Sequence, residues 1–455
     1  MERLTILVTS VTGVGHINAS IGATLPLLLR GHRVVFVLES AWKGKLALLG
    51  FEEHLYTETA ECKQGENPGE AMAKYLLSAK SIGSNSAEEK MKTMTTYFKS
   101  QENRNKFSRF NAAIKEAIEK YQPNVVWVDG IPLHFCEFHI NIVYPFQTGG
   151  LRPAVRASGI PWIQAFSGNP AFLHIDPDLP PGGFGLPTFG GRDAWDECNK
   201  IRREIIYSSD YQEMVQKLGY ERYPGDAISP IAEASLVVYG FPEELNYASI
   251  PKWFNLEIFN RPNPNQKLLS PLLTMLVPEE FMERCKSSGG KLIYVSLSTM
   301  ASADLQFMNR LISLLGKTEH KYIVSKGPRH DELKLPGNMY GDRYLPQQKI
   351  LPHVELVICH GGCNTVTESL AEGKPLIVLP NFGDQFDNAQ RIEEVKLGIR
   401  LNYDFLDNEL IDAIEKLLYD KELHSRLEAI SNRLKASDKH SILADKIETM
   451  FRKQK

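Results

Sequence analysis

Residues 344–388 read YLPQQKILPHVELVICHGGCNTVTESLAEGKPLIVLPNFGDQFDN, and their pattern decides the fold class. A short apolar run, Leu356-Val357-Ile358-Cys359, meets His360-Gly361-Gly362, and a helix is expected from Asn364-Thr365 onward. A second apolar run, 375–379, ends at the polar residues Asn381, Asp384, Gln385 and Asn388. Strand, glycine turn, helix and strand together form one unit of a parallel α/β sheet. Glycines let the backbone approach a ligand, and the helix N-terminus that follows offers unpaired N–H groups, so the turn is an anion site. The polar cluster beside it can bind hydroxyls. A diphosphate cradle next to hydroxyl-binding groups fits a nucleotide-sugar.

Working outward, the chain opens in the same way. Residues 4–10 read as a strand, 12–16 as a glycine loop, 18–30 as a helix and 34–38 as the next strand. In such a βαβ unit, ligands bind at the carboxyl ends of the strands. His16 stands there, after Gly13-Val14-Gly15, and it alone of twelve histidines has this setting. The apolar run 124–128 leads directly into Asp129-Gly130. Further strands are expected at 162–166 and at 236–239, the latter closing the first domain. A second series is expected at 291–296, 322–325, 356–359 and 376–379. Residues 86–121 are polar and helix-forming, with Phe110, Ile114 and Ile118 at helical spacing. Residues 174–193, HIDPDLPPGGFGLPTFGGRD, are too rich in Pro and Gly for a helix or a central strand. They read as an acceptor-side loop or a linker. Residues 422–452 read as helices.

A chain of 455 residues exceeds one core, so two domains are expected. The expected division is 1–250, a linker at 251–270, a second domain at 271–430, and a terminal helical segment at 431–455. Hydrophobic residues make up 43% and charged residues 24%, with a net charge of −3, which is ordinary for a globular protein and lacks the basic excess of a nucleic-acid binder. Cys62, Cys136, Cys198, Cys285, Cys359 and Cys363 show no metal-type spacing and are expected to be reduced thiols. No signal peptide is visible, and no apolar run reaches the roughly 18 residues of a membrane span. A cytoplasmic protein without a membrane anchor, monomeric or weakly dimeric, is expected.

The motif HGGCNTVTE at 360–368, with Asp384-Gln385 following, closely resembles the donor signature of family 1 UDP-glycosyltransferases. The resemblance implies a GT-B fold, in which two Rossmann-like domains face each other across a cleft and a C-terminal helix crosses back to the N-terminal domain. It also implies transfer of a sugar from a UDP-sugar to a small lipophilic acceptor such as a flavonoid, phenolic, macrolide or xenobiotic, without metal or cofactor. UDP-glucose is the favoured donor. His16 then corresponds to the catalytic base and Asp129 to its carboxylate partner. Tyr344 stands where the family stacks an aromatic on uracil, and Gln347 where it binds the uracil edge. His360, Gly362, Asn364, Thr365 and Thr299 match phosphate contacts, and Glu368 matches the ribose ligand. The family has Gly where Ser298 stands, so the loop carrying Thr299 is expected to sit differently. Asp384 and Gln385 match the pair that holds the sugar hydroxyls. Phe146, Phe166, Phe172 and Phe184 are candidate acceptor walls, as are Phe135, Phe138 and Trp195. A glycolipid or cell-envelope transferase of the same fold, a UDP-sugar-binding protein and an epimerase remain open alternatives.

Overall fold

The computed structural model describes residues 3–10, 13–57, 89–90, 101–130, 152–172, 177–206, 210–221, 233–260, 281, 283 and 289–452. Two parallel sheets carry it. The first holds β1 (Thr5–Thr9), β2 (Arg33–Glu39), β3 (Glu52–Tyr56), β4 (Val125–Asp129), β5 (Trp162–Phe166), β6 (Leu236–Tyr239) and β7 (Phe254–Asn255), in the order β3-β2-β1-β4-β5-β6-β7. The second holds β8 (Leu292–Ser296), β9 (Lys321–Ser325), β10 (Met339–Asp342), β11 (Leu356–Cys359), β12 (Leu376–Val378) and β13 (Gly398–Arg400), in the order β10-β9-β8-β11-β12-β13. In each sheet the strand order reverses once, between β1 and β4 and between β8 and β11. Such reversals leave a crevice at the carboxyl ends of the two strands, where open α/β sheets bind ligands.

The central strands are apolar because helices cover both faces of a parallel sheet. Successive residues point to opposite faces. Leu7, Val35, Val126 and Val128 therefore pack with Phe110, Ile114 and Ile118 of the helix Gln101–Tyr121. Ile6, Val8, Phe36 and Trp127 pack on the other face with Ile17 and Leu27 of the helix Val14–Leu29. The last helix, Lys439–Phe451, joins that same face through Leu443, Ala444, Ile447 and Phe451. The preceding helix, Lys421–Ala436, instead packs Leu423, Leu427, Ile430 and Leu434 against the second sheet. The chain thus crosses back at Ser437–Asp438, later than the expected 431, because the apolar stripe of one helix belongs to each sheet. Polar contacts fix the last helix in place. Glu448 accepts from His32 Nε2 at 2.7 Å, and Asp445 accepts from Arg30 at 2.6 Å.

Three expectations need correction. The first helix starts at Val14 and not at 18, with extended Gly13 as its cap and Ile17 N–H bonded to the Gly13 carbonyl at 3.0 Å. His16 therefore sits in the first helical turn and not in a loop. The strand β6 does not close the first domain, since the two-residue β7 follows it in the same sheet. The edge strands β3, β10 and β13 were not anticipated. Of the expected linker at 251–270, residues 251–260 are described and carry β7, and residues 261–270 lie outside the described residues.

Ile447 is fully buried and Ile442 in the same helix is 44% exposed. Ile447→Ala should cost about 2–5 kcal/mol of stability by urea unfolding, and Ile442→Ala under about 0.5 kcal/mol. Equal losses would mean that the last helix is not docked through this face.

Candidate active site

At the reversal in the first sheet, Asp129 ends β4 and His16 projects from the helix after β1. His16 Nδ1 lies 3.0 Å from Asp129 Oδ2. A carboxylate only accepts, so Nδ1 carries the proton and the neutral ring keeps its lone pair on Nε2. Ser167, just past β5, places its hydroxyl 3.1 Å from the same Nδ1. Ser10 donates to Asp129 Oδ2 at 2.7 Å, and Arg152 donates to the Asp129 main-chain oxygen at 3.0 Å. Burial alone would pull His16 below its ordinary value. The Asp129 charge and hydrogen bond, with help from Asp384 of the other half, outweigh it and hold the imidazole above that value.

At the reversal in the second sheet, β11 runs into His360-Gly361-Gly362 and then the helix Cys363–Ala371. Gly361 has φ +85°, and a side chain there would meet Val378 at 2.7 Å. A Cβ on Gly362 would collide with the His360 ring, which lies folded over the turn. His360 Nδ1 faces the Ser296 carbonyl at 3.4 Å, so this nitrogen is the donor. Burial pulls His360 down to about 4, which keeps it neutral at pH 7. Across the β8 loop, Thr299 lies in the short helix Ser298–Ala301. Ser298 has φ +63°, so the backbone keeps the left-handed turn that glycine favours even though serine occupies it.

One helical turn further on, the buried Glu368 accepts from Gln347 at 2.6 Å, Asn260 at 3.0 Å and Gln348 at 3.4 Å. Burial holds its carboxyl above the ordinary range. Thr365 is 3.4 Å from Gln347 Nε2, so these three expected donor-site residues converge. Tyr344 is 42% exposed, as a stacking platform must be, with the Arg343 guanidinium 5.5 Å from its ring centre. Asn364 reaches into the first half, and its side-chain amide donates to the Gly15 carbonyl at 2.9 Å.

Asp384 opens the helix Asp384–Glu394 and accepts from the Asn169 main chain at 3.2 Å and from Asn388 at 3.3 Å. Burial pushes it up to about 6. Gln385 commits its carbonyl to the N–H groups of Asn381 and Phe382, at 3.0 and 3.2 Å. Asp387 receives the Gly183 and Gly185 N–H groups, at 2.6 and 3.0 Å, and burial pushes it up to about 7. Both glycines have positive φ, so Gly183-Phe184-Gly185 curls around the carboxylate as an anion nest. The Pro/Gly-rich loop is thereby strapped onto the second half.

Phe184 lies part-buried on this strap. Phe166 is a correction, since it is fully buried in the core with Ala171 and Leu179 and cannot line a cleft. Trp195 is also buried, 3% exposed, and its indole donates to the Pro187 carbonyl at 3.2 Å. Phe135, Phe138 and Phe146 lie outside the described residues, as does the Phe172 side chain. The sequence reading missed Ser10, Ser167, Asn169 and Asp387. Ser10, Ser167 and Asn169 are isolated polar residues with no local pattern, Asp387 lies inside the mostly polar run 384–388, and only the fold brings each to the site. Among the described residues, no helix is long and apolar enough to cross a membrane.

Comparison with known proteins agrees with this architecture. Residues 267–435 match the family model described as UDP-glucoronosyl and UDP-glucosyl transferase. A sterol 3-beta-glucosyltransferase of Candida albicans is 27% identical over 180 residues, which cover 37% of this chain and 12% of that protein. The uncharacterized UDP-glucosyltransferase YojK of Bacillus subtilis is 29% identical over 159 residues, 34% of this chain and 39% of that protein. The chain thus spans well under half the length of these relatives. Among solved structures, the glycotransferase of kitacinnamycin has a TM-score of 0.64 at 17% identity, covering 99% of this chain and 100% of that one. The spinosyn rhamnosyltransferase SpnG has a TM-score of 0.61 at 16% identity, covering 97% and 99%. These whole-length likenesses establish the GT-B fold.

The raised Asp387 carboxyl has a consequence for stability. The folded protein retains a proton that the unfolded chain loses above about pH 4, so this group makes stability fall as pH rises toward about 7. Asp387→Asn should flatten the decline of the thermal midpoint between about pH 5 and pH 7. An unchanged slope would show that Asp387 titrates as an ordinary carboxylate.

Proposed function

We propose that this chain is an inverting UDP-glycosyltransferase that moves a sugar, glucose by preference, from a UDP-sugar to a hydroxyl of a small lipophilic acceptor. The observation that carries the reading is His16, bonded to Asp129 in one half while sensing the charge of Asp384 in the other. A base from the front half and a sugar-binding carboxylate from the back half meet across one cleft. The family match over the donor-side domain supports a UDP-sugar, and the relatives named as glucosyltransferases support glucose.

The chemistry follows from the geometry. Nε2 of His16 takes the acceptor hydroxyl proton, and Asp129 stabilises the resulting imidazolium. The acceptor oxygen attacks the anomeric carbon opposite to the diphosphate, and a single displacement inverts the configuration. The departing charge is met by the N-terminus of the helix Cys363–Ala371, by Asn364 and Thr365, by Thr299 and by His360. Tyr344 and Gln347 take uracil, Glu368 takes the ribose, and Asp384 with Gln385 takes the sugar hydroxyls. The strap bearing Phe184 forms part of the acceptor wall, and Phe146 and Phe172 remain candidates for it from the sequence alone. Sterols and macrolide-type aglycones fit such a wall, since one relative is named for sterols and one solved neighbour is complexed with spinosyn aglycone. Glycosylating lipophilic compounds makes them more soluble, which suits detoxification. The test is incubation with UDP-glucose, UDP-galactose or UDP-glucuronate and a mixture of sterols, flavonoids, phenolics and macrolides, read by mass. Failure of every donor to yield a sugar-added product would sink the proposal. Donor conversion without acceptor would favour an epimerase.

His16→Ala should lower turnover by about 10²–10⁴-fold while UDP still binds, and Asp129→Asn should lower turnover more than donor affinity. Equal losses of both for Asp129→Asn would remove it from the base-orienting role.

A second prediction concerns His360. Its Nδ1 proton is spent on Ser296, so the ring can donate to a phosphate only after taking up a proton at Nε2. UDP binding at about pH 6 should therefore carry proton uptake, measured by calorimetry in buffers of different ionisation enthalpy. His360→Asn should abolish that uptake, and binding without uptake in the wild type would exclude the contact.

A further inference from the structure

Lys90 belongs to neither motif, yet it is buried in the second half of the molecule, only 3% exposed. Its ammonium donates to the main-chain oxygen of Asn381 at 2.7 Å and to the Asn381 side-chain oxygen at 3.2 Å. Among the described residues two rings also face it, Phe386 with its centre at 5.6 Å and Tyr403 at 5.9 Å. Among the described residues no carboxylate pairs with it. Burying an unpaired ammonium is costly, and such groups are retained where they position something. Burial also draws its pKa down to about 8.

What Lys90 positions can be followed bond by bond. Asn381 is fixed by both of its oxygens. Its N–H, with that of Phe382, is given to Gln385 Oε1 at 3.0 and 3.2 Å. Backbone N–H groups only donate, so the Gln385 atom they meet is the oxygen. The planar carboxamide must then turn its NH₂ away from the loop.

We propose that Lys90 is a positioning residue for the donor sugar: by fixing Asn381 it locks the Gln385 carboxamide with its oxygen inward and its NH₂ presented to a sugar hydroxyl. The inference rests on the reading of Asp384-Gln385 as the sugar-binding pair. It adds a residue from the front half, far outside the donor motif, to the determinants of donor selectivity. With the restraint gone, Gln385 can rotate and donate or accept at will, and the site reads hydroxyl stereochemistry less well.

The test uses the full chain and steady-state kinetics with UDP-glucose. Lys90→Met replaces the amine by an apolar side chain of similar length. It should raise the donor KM about 10-fold, the effect of one lost hydrogen bond, and shrink the preference between UDP-glucose and UDP-galactose. The inhibition constant of UDP, which lacks the sugar, and the acceptor KM should stay unchanged. The thermal midpoint should be unchanged or higher, because an unpaired buried charge has been removed. In a Gln385→Ala background the same substitution should add nothing, since both changes act on one contact. If Lys90→Met does not fold, Asn381→Ala carries the same comparison. A donor KM and UDP inhibition constant that rise together, an additive effect in the Gln385→Ala background, or no effect would each overturn the role of Lys90 and leave the proposed reaction standing. A wild type that transfers no sugar from any UDP-sugar would overturn that reaction, and this role with it.

Discussion

The side-chain amide of Asn364 donates to the main-chain oxygen of Gly15 at 2.9 Å, and the site depends on the geometry that this bond records. Gly15 is in the first turn of the helix Val14–Leu29, and Asn364 is in the first turn of the helix Cys363–Ala371. Two helices from different sheets therefore meet N-terminus to N-terminus. Each carries a partial positive charge at that end, and together they favour an anion between them. A Cβ at Gly15 would lie 3.4 Å from the Asn364 amide, an ordinary contact, so the two turns pack without crowding. The same arrangement disfavours a positive imidazole in the first turn. A His16 without Asp129 would be discouraged from taking a proton both by burial and by the helix dipole. The Asp129 contact at 3.0 Å is what makes a base tenable at that position.

The cleft is built from buried acids held by neutral donors. Glu368 is held by three side-chain amides, Asp384 by a main-chain N–H and an amide, and Asp387 by two glycine N–H groups. None of these contacts is an ion pair, so each carboxylate keeps a strong appetite for a hydroxyl proton. Sugar and ribose hydroxyls both donate and accept, and they suit such a lining better than cationic ligands would. Ion pairs with cations lie further out, at the join between the halves. Arg433 pairs with Glu244 and with Glu257, each at 2.6 Å, and Lys439 reaches Glu257 at 2.8 Å. Charge there holds the domains together, while the carboxylates of the cleft are left to neutral donors.

The sequence was legible wherever a central strand met a glycine turn. β4 and β11 are buried along their whole length, so each reads as an unbroken apolar run, and the catalytic and phosphate-binding candidates follow immediately. Edge strands are different, because one side lacks a neighbour. Glu52–Tyr56, Phe254–Asn255, Met339–Asp342 and Gly398–Arg400 are only partly buried and need no apolar run. All four edges of the two sheets were missed for that one reason. Phe166 failed in the opposite direction. An aromatic residue at a strand end near His16 looks like a ligand wall, but a fully buried ring belongs to the core. Ser167, one residue later, is the one that reaches the imidazole, and a lone serine carries no signal without the fold.

Ser298 shows how far a motif can drift while the geometry stays. Its φ of +63° is a conformation that L-residues adopt at a cost of about 1–2 kcal/mol, and glycine would adopt it freely. The turn survives because neighbouring contacts hold it. Ser302 N–H bonds to the Ser298 carbonyl at 3.3 Å, and the Ser302 hydroxyl bonds to the same oxygen. That hydroxyl occupies the space where a side chain of residue 327 would be, and residue 327 is glycine with φ +72°. The glycine missing at 298 is thus complemented by a glycine at 327 on the neighbouring loop. Packing holds the turn, and Thr299 lies in the short helix Ser298–Ala301 that follows β8.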